Sequence, residues 1–203
     1  MTVAWIPHRF TGGALALDTA NTVVLRGDPD RTFDRFADPV EIARFAAAAG
    51  TFRAAELGGR ALAAPDPHAV APVVVAMREA TDRLFRGAVL AGGADAGEMA
   101  AFLRACAEGL CGAQGERLCA PQRPFGDPAK PLAFEAALAV SALSLLAGET
   151  MARIRICPNC NWLFLDRSRN SSRLWCDMAV CGNRRKASRH YKRRKAAREV
   201  DNV

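Results

Sequence analysis

Four cysteines near the C-terminal end carry the most concentrated chemistry in this sequence. Cys157-Pro158-Asn159-Cys160 is a C-x2-C knuckle, and Cys176 and Cys181 form a second pair after fifteen intervening residues. Two close thiol pairs suit tetrahedral Zn2+, which binds sulfur well and imposes no geometry of its own. Four sulfur ligands close the site, so the chemistry expected is structural and leaves no position for a catalytic water. The alternatives are two disulfides, four unrelated thiols, or an iron–sulfur cluster, which these spacings do not favour. Disulfides need an oxidising compartment, and the chain opens on Trp5, Pro7, His8 and Arg9 without a basic-then-apolar signal layout.

Charge divides the 203-residue chain at the same place. From Arg153 onward there are 14 Lys and Arg against four acids, a net of +10, which leaves 14 basic and 17 acidic residues, a net of −3, in 1–152. Two units are expected, 1–152 and 153–203. A segment of about fifty residues with that charge buries too little apolar surface to fold comfortably alone. Structural zinc supplies about 10–16 kcal/mol to such modules. Ile154–Ile156 reads as a strand entering the knuckle, with 162–165 and 173–175 as two hairpin strands around a polar turn. A basic helix is expected over about 180–199, with Cys181 near its N-terminus, where the helix dipole favours a thiolate. At about 100° per residue from Arg184, residues Arg185, Lys186, Arg189, Lys192 and Arg193 fall between about 80° and 200°. Val180, Ala187 and Tyr191 take the opposite side and should pack on the zinc hairpin. The cationic face suits nucleic-acid phosphates, against the plainer reading of a solvated helix. Arg184 should brace the finger by pairing with Asp166 or Asp177, while His190 is solvated or faces phosphate.

The first unit is the scaffold that must position this segment. Half of the chain is hydrophobic, enough for a packed core. No apolar run reaches the roughly 18 residues of a spanning helix, so a soluble cytoplasmic protein without membrane contact is expected. Residues 14–17 lead into Asp18-Thr19-Ala20-Asn21-Thr22, which fits a strand, a buried turn or a first helical turn. Asp38, Pro39 and Glu41 start a helix that Gly50 ends. A longer helix starts between Pro67 and Pro72 and stops at Gly92-Gly93. Val73, Met77, Leu84 and Ala88 share one side of it, with Arg78, Glu79, Asp82 and Arg83 largely off that side. Asp95 and Glu98 open the next, with Met99, Phe102, Leu103, Cys106 and Leu110 on one face. After a Gly- and Pro-rich loop over 109–131, residues 132–151 are apolar nearly all round and read as the central core helix. The fold class is mostly α (α+β), with a small β element in the first unit.

Catalytic signals in 1–152 are thin, and no catalysis is expected. His8 and His68 lack partners at ligand spacing and read as loop or surface residues. Gly12-Gly13 belongs to no phosphate-cradling pattern. Cys106, Cys111 and Cys119 read as buried or loop thiols. An enzyme pocket would require Arg78, Glu79 and Asp18 to converge.

The C-terminal residues resemble the CGNR zinc-finger proteins. The signature is Cys181-Gly182-Asn183-Arg184, preceded by the C-x2-C knuckle, Trp162-Leu163-Phe164-Leu165-Asp166 and Arg173-Leu174-Trp175-Cys176. The first unit resembles the ABATE domain that accompanies this finger. Leu17-Asp18-Thr19-Ala20-Asn21-Thr22 is similar to its Leu-Asp-Phe-x-Asn-Thr segment, with Thr19 where an aromatic is common, and Met77-Arg78-Glu79 is similar to its Leu-Arg-Glu helix. The resemblance implies a treble-clef finger holding Zn2+ on Cys157, Cys160, Cys176 and Cys181. It implies a DNA-binding, stress-induced transcription regulator whose ABATE domain senses an unknown small-molecule effector. Asp18 and Asn21 are then the candidate effector contacts, unless they cap a helix or satisfy a buried turn. The expected partners are duplex DNA through its phosphates, the effector, and a second copy in a homodimer. The alternative is an RNA-binding or ribosome-associated zinc module, in which Trp162 and Trp175 stack on unpaired bases instead of forming the hairpin core.

Overall fold

A computed structural model describes residues 2–187 and residue 191. A 3-10 turn at Pro7–Phe10 precedes α1 (Leu15–Ala20), and β1 (Val23–Val24) pairs antiparallel with β2 (Phe33–Asp34). Then come α2 (Val40–Phe52), α3 (Ala54–Leu57), β3 (Leu62–Ala63), α4 (Pro67–Ala91) and α5 (Ala96–Leu110). β4 (Leu132–Ala133) returns beside β3 in parallel and leads into α6 (Phe134–Ser144) and α7 (Gly148–Met151). The cysteine segment opens with an antiparallel hairpin, β5 (Ile154–Ile156) and β6 (Leu163–Leu165), followed by a π turn, Met178–Gly182. About half the chain is helical and the sheets are small, which fits the mostly α, α+β class. Among the described residues no helix is long and apolar enough to cross a membrane.

Local chemistry explains most of these boundaries. Asp66 accepts the Ala69 N–H and Asp95 accepts the Glu98 N–H, so α4 and α5 begin on side-chain caps. α4 ends at Gly92 in a left-handed conformation that glycine adopts without strain. Asp38 holds the Val40 N–H at the start of α2, but Glu41 does not close a capping box. It is buried and takes the Val3 N–H and the Trp5 indole N–H, pinning the N-terminal segment over α2. Trp5, Phe10, Phe36 and Phe45 meet there, with the Trp5 and Phe10 rings 4.9 and 5.0 Å from Phe45.

α6 is buried on every side, as its composition requires, and α4 and α5 pack against it. The expected continuous helix over 132–151 is interrupted: two strand residues precede α6, and the chain turns after Ser144 before α7. Segment 14–17 resolves as the start of α1, all six residues of which are buried. The polar side assigned to α4 is also only partly exposed. Met77 and Leu84 are core as expected, but Arg78 is 3% exposed and Asp82 5%. Arg78 is tolerated inside because its guanidinium grips both oxygens of Asp34 at 2.6 and 2.7 Å and Glu79 at 2.8 Å.

The division at 152/153 marks a change of charge and not a gap in packing. Ile154, Leu163 and Leu165 belong to the same hydrophobic core as α1, α4 and α6. The free edge of β6 is satisfied by the scaffold. Leu165 donates its N–H to the Gly12 carbonyl at 2.7 Å. The Asn21 amide accepts the Leu163 N–H at 3.0 Å and donates to the Leu163 carbonyl at 2.8 Å. Gly12 and Gly13 make this approach practicable. A Cβ on Gly12 would sit 2.7 Å from the Asp18 carboxylate, and one on Gly13 3.0 Å from Leu165 Cβ at a backbone φ of +87°.

Asn21→Ala should therefore destabilise the whole protein by about 2–4 kcal/mol, since it leaves a buried N–H and C=O without partners. Chemical denaturation of the zinc-loaded chain measures this. A loss below about 0.5 kcal/mol would contradict the clamp.

Candidate metal centre

The hairpin turn and the π turn bring the four sulfurs to one point. Cys157 and Cys160 flank the β5–β6 turn, closed by the Cys157 N–H to the Trp162 carbonyl at 2.9 Å and the Asn161 N–H to the Cys157 carbonyl at 2.8 Å. Asn161 takes the left-handed conformation, φ 62°, that this tight return requires. Cys176 precedes the π turn and Cys181 lies within it. All four Sγ atoms lie within 4.8 Å of one another, with Cys160–Cys176 at 3.4 Å and Cys176–Cys181 at 3.6 Å. Sulfurs about 2.3 Å from a tetrahedral zinc would stand about 3.8 Å apart. The sulfurs already stand near that spacing.

The donor set fits a dication chemically as well. Crowding shifts the thiols apart: hydrogen bonds from Cys160 and Cys176 pull Cys157 down, and the same contacts push Cys160 and Cys176 up. Four thiolates at this density need a positive charge among them, which zinc supplies. Cys157, Cys176 and Cys181 are fully buried and Cys160 half-buried, so the centre is closed. Cys106 is buried in α5, while Cys111 and Cys119 are exposed.

Residues 153–194 match the CGNR zinc finger. No curated protein and no solved structure matches the chain. Within the finger, the signature residues have distinct uses. Gly182 is buried against Trp175 and Met178. The Asn183 side-chain amide donates to the Ala179 carbonyl at 2.9 Å across the π turn. Arg184 does not brace the finger as expected. It is exposed, and both expected acceptors are engaged elsewhere. Asp166 takes the Ser168 and Arg173 N–H groups, and Asp177 pairs with His8.

That pairing makes His8 an N-terminal brace for the finger, where the sequence suggested a loop or surface histidine. Its Nδ1 lies 2.8 Å from Asp177 Oδ2, and its ring stacks on Trp162 at 5.5 Å. Asp177 also accepts the Ala179 and Val180 N–H groups, so one carboxylate caps the cysteine-bearing turn and ties it to the N-terminal segment. Burial opposes its ionisation, but His8 and the two N–H groups prevail and hold it below the usual carboxylate range.

Segment 173–175 is not a strand. Its order comes from Arg173, whose guanidinium donates to the Trp175 carbonyl at 2.8 Å and to the Cys176 carbonyl, and lies 5.5 Å above the Phe164 ring. From the other side, Arg86 on α4 donates to the Asn161 carbonyl at 3.0 Å, and Asn161 donates to the Arg26 carbonyl at 3.2 Å. Arg86 also chelates Asp82, and Arg26 chelates Glu79. Burial pushes Glu79 up, yet the Arg26 and Arg78 guanidiniums overcome it and leave it below the usual range. A ladder of alternating charges therefore runs from Asp34 through Arg78, Glu79, Arg26, Asp82 and Arg86 to the knuckle.

Asp18 and Asn21, the candidate effector contacts, are both buried and both used by the protein. Asn21 is the clamp on Leu163. Asp18 accepts the Gly12 N–H at 2.7 Å and pairs with Arg53 Nε at 2.5 Å. It does not share partners with Arg78 and Glu79, which bond Asp34 and Arg26 instead. Of the expected cationic face, Arg185 and Lys186 are exposed, whereas Arg189, Lys192 and Arg193, like His190, lie outside the described residues. Helical turns at 183–187 continue the π turn. Ala187 and Tyr191 do not pack on the hairpin: both are exposed, Tyr191 at 70%. Val180 is half-buried.

Cys157→Ser should lose stoichiometric zinc, measured on the purified protein by metal analysis, whereas Cys119→Ser retains it. Equal zinc in both variants would contradict the four-sulfur centre. A second expectation concerns Asp18. Burial pushes its carboxyl up to about 7 despite Arg53 and the Gly12 N–H. The folded state thus keeps a proton that the unfolded chain releases near pH 4. That contribution is complete below about pH 4 and is lost as pH rises through about 7. The melting temperature of the parent relative to Asp18→Asn should fall across that interval, and a pH-independent difference would contradict it.

Proposed function

We propose that the protein is a zinc-dependent, DNA-binding transcription regulator of the stress-responsive kind, with a treble-clef finger behind an ABATE domain that receives a small-molecule effector. The observation that carries this reading is the placement of charge. The net +10 of the last quarter begins at a closed sulfur centre, and Arg184, Arg185 and Lys186 are exposed directly after its last ligand. Cations on a metal-anchored helical start form an electrostatic footprint suited to phosphates. The knuckle hairpin followed by a ligand-bearing helical turn supports the treble-clef reading. Leu17-Asp18-Thr19-Ala20-Asn21-Thr22 and Met77-Arg78-Glu79 support the ABATE reading.

Duplex DNA is favoured over unpaired RNA by the tryptophans. Trp162 is 6% exposed, between His8 and an Arg35 guanidinium 5.3 Å from its ring, and offers no face to a base. Trp175 is half-buried against the same cluster. A single finger has a small footprint, so a homodimer would provide the area of a specific DNA site.

The test is a random-library selection with the zinc-loaded full chain, run in parallel on duplex DNA and on RNA. Enrichment of a short duplex motif is expected, and enrichment in RNA alone would overturn the DNA reading. On the selected duplex, Arg185→Ala or Lys186→Ala should each weaken binding and lower the slope of log K against log salt by about 0.9. An unchanged slope in both variants would remove these residues from the interface.

A further inference from the structure

We propose that the cavity between the N-terminal segment and the β2–α2 connection binds a small organic monocarboxylate with an apolar body, held by Arg9 and Arg35. The cavity measures about 470 Å³, within the range of small-ligand sites. Both arginines line it.

Arg35 is 8% exposed, with its guanidinium 5.5 Å from the Phe33 ring and facing Trp162. Its Nη1 donates to the Asn21 carbonyl at 3.1 Å, but its buried Nε has no acceptor among the described residues. The buried Nε of Arg9 also has none. Burial first, and Arg9 second, pull Arg35 down to about 9, as expected of an interior cation without a counter-charge. An unpaired buried guanidinium is costly, and a carboxylate is its natural bidentate partner.

The acids on the same wall do not supply that partner. Asp34 gives both oxygens to Arg78 and also takes the Phe36 N–H. Glu41 is occupied by the Val3 N–H, the Trp5 indole and Arg44. Asp38 holds the Val40 N–H. Arg78 and Arg44 neutralise Asp34 and Glu41, so Arg9 and Arg35 exceed the remaining acid, Asp38, by one charge, which matches a monocarboxylate and not a doubly charged phosphate. Val3 and Phe33 on the cavity wall suit an apolar body.

Arg35 faces Trp162, so an occupant of this cavity is one side chain from the zinc knuckle. That the occupant is the effector rests on the regulator reading; that the cavity binds carboxylates does not.

Hexanoate is titrated into the zinc-loaded full chain without nucleic acid, followed by calorimetry and tryptophan emission. The controls are 1-hexanol, which lacks the charge, and inorganic phosphate. Saturable hexanoate binding is expected, weakened at least about tenfold by Arg35→Gln. Arg9→Gln, at a half-buried position, should weaken it in the same direction and covers the case in which Arg35→Gln fails to fold. Absence of saturable binding up to about 10 mM, equal affinity for 1-hexanol, or tighter binding of phosphate would each overturn the proposal. A nucleic-acid selection that fails leaves this result standing, because no nucleic acid enters the measurement.

Discussion

The side-chain amide of Asn21 does for Leu163 what a neighbouring strand would do, donating to its carbonyl and accepting its N–H. A two-stranded hairpin has two open edges and little stability in water. Here the outer edge of β6 is closed by Asn21 and the Gly12 carbonyl, and the apolar side chains of Leu163 and Leu165 enter the helical core. The opposite face of the strand, Phe164 with Trp162, turns toward the cysteines. One three-residue strand thus belongs to two cores. Its pleat supplies the reason, since successive side chains point to opposite sides.

Other contacts reinforce the same junction. His8 and Asp177 tie the N-terminal segment to the turn that carries Cys181, and Arg86 holds the knuckle from α4. Each carries charge into partial burial, which is tolerable only where partners are arranged in alternation. The ladder from Asp34 to Arg86 meets that condition. Arg35, with Arg9 beside it, is the exception, and this is why the nearby cavity stands out chemically. A finger fixed in this way keeps a set orientation to its scaffold.

Legibility in the sequence followed the range of the interactions. The cap at Asp95, the helix start at Pro67, the stop at Gly92, the Ile154–Ile156 strand and the cysteine spacing are local signals, and they appear where local chemistry puts them. The apolar composition of 132–151 located the central helix but not its break after Ser144. Long-range polar contacts were not legible. Nothing adjacent to His8 announces Asp177, 169 residues away, and nothing adjacent to Asn21 announces Leu163. Arg78 and Asp82 read as a polar surface because periodicity counts charge as exposure, yet both are buried in ion pairs. The strand expected at 173–175 failed for a related reason, since a side chain, Arg173, satisfies carbonyls that a ladder would have satisfied. The Gly12-Gly13 doublet was the one local trace of the junction. It fits no phosphate-cradling pattern, and its use is the close approach of backbone to a strand.

The central claim is that the zinc centre and the helical scaffold form one cooperative structure joined through β6. Amide hydrogen exchange on the full zinc-loaded chain, before and after a chelator strips the metal, tests it most directly. The account predicts that protection falls at Asp18 in α1 and at Asn21 directly after it, together with Leu163 and Leu165. Loss confined to the knuckle and the π turn, with α1 unchanged, would contradict it and make the finger an independent module.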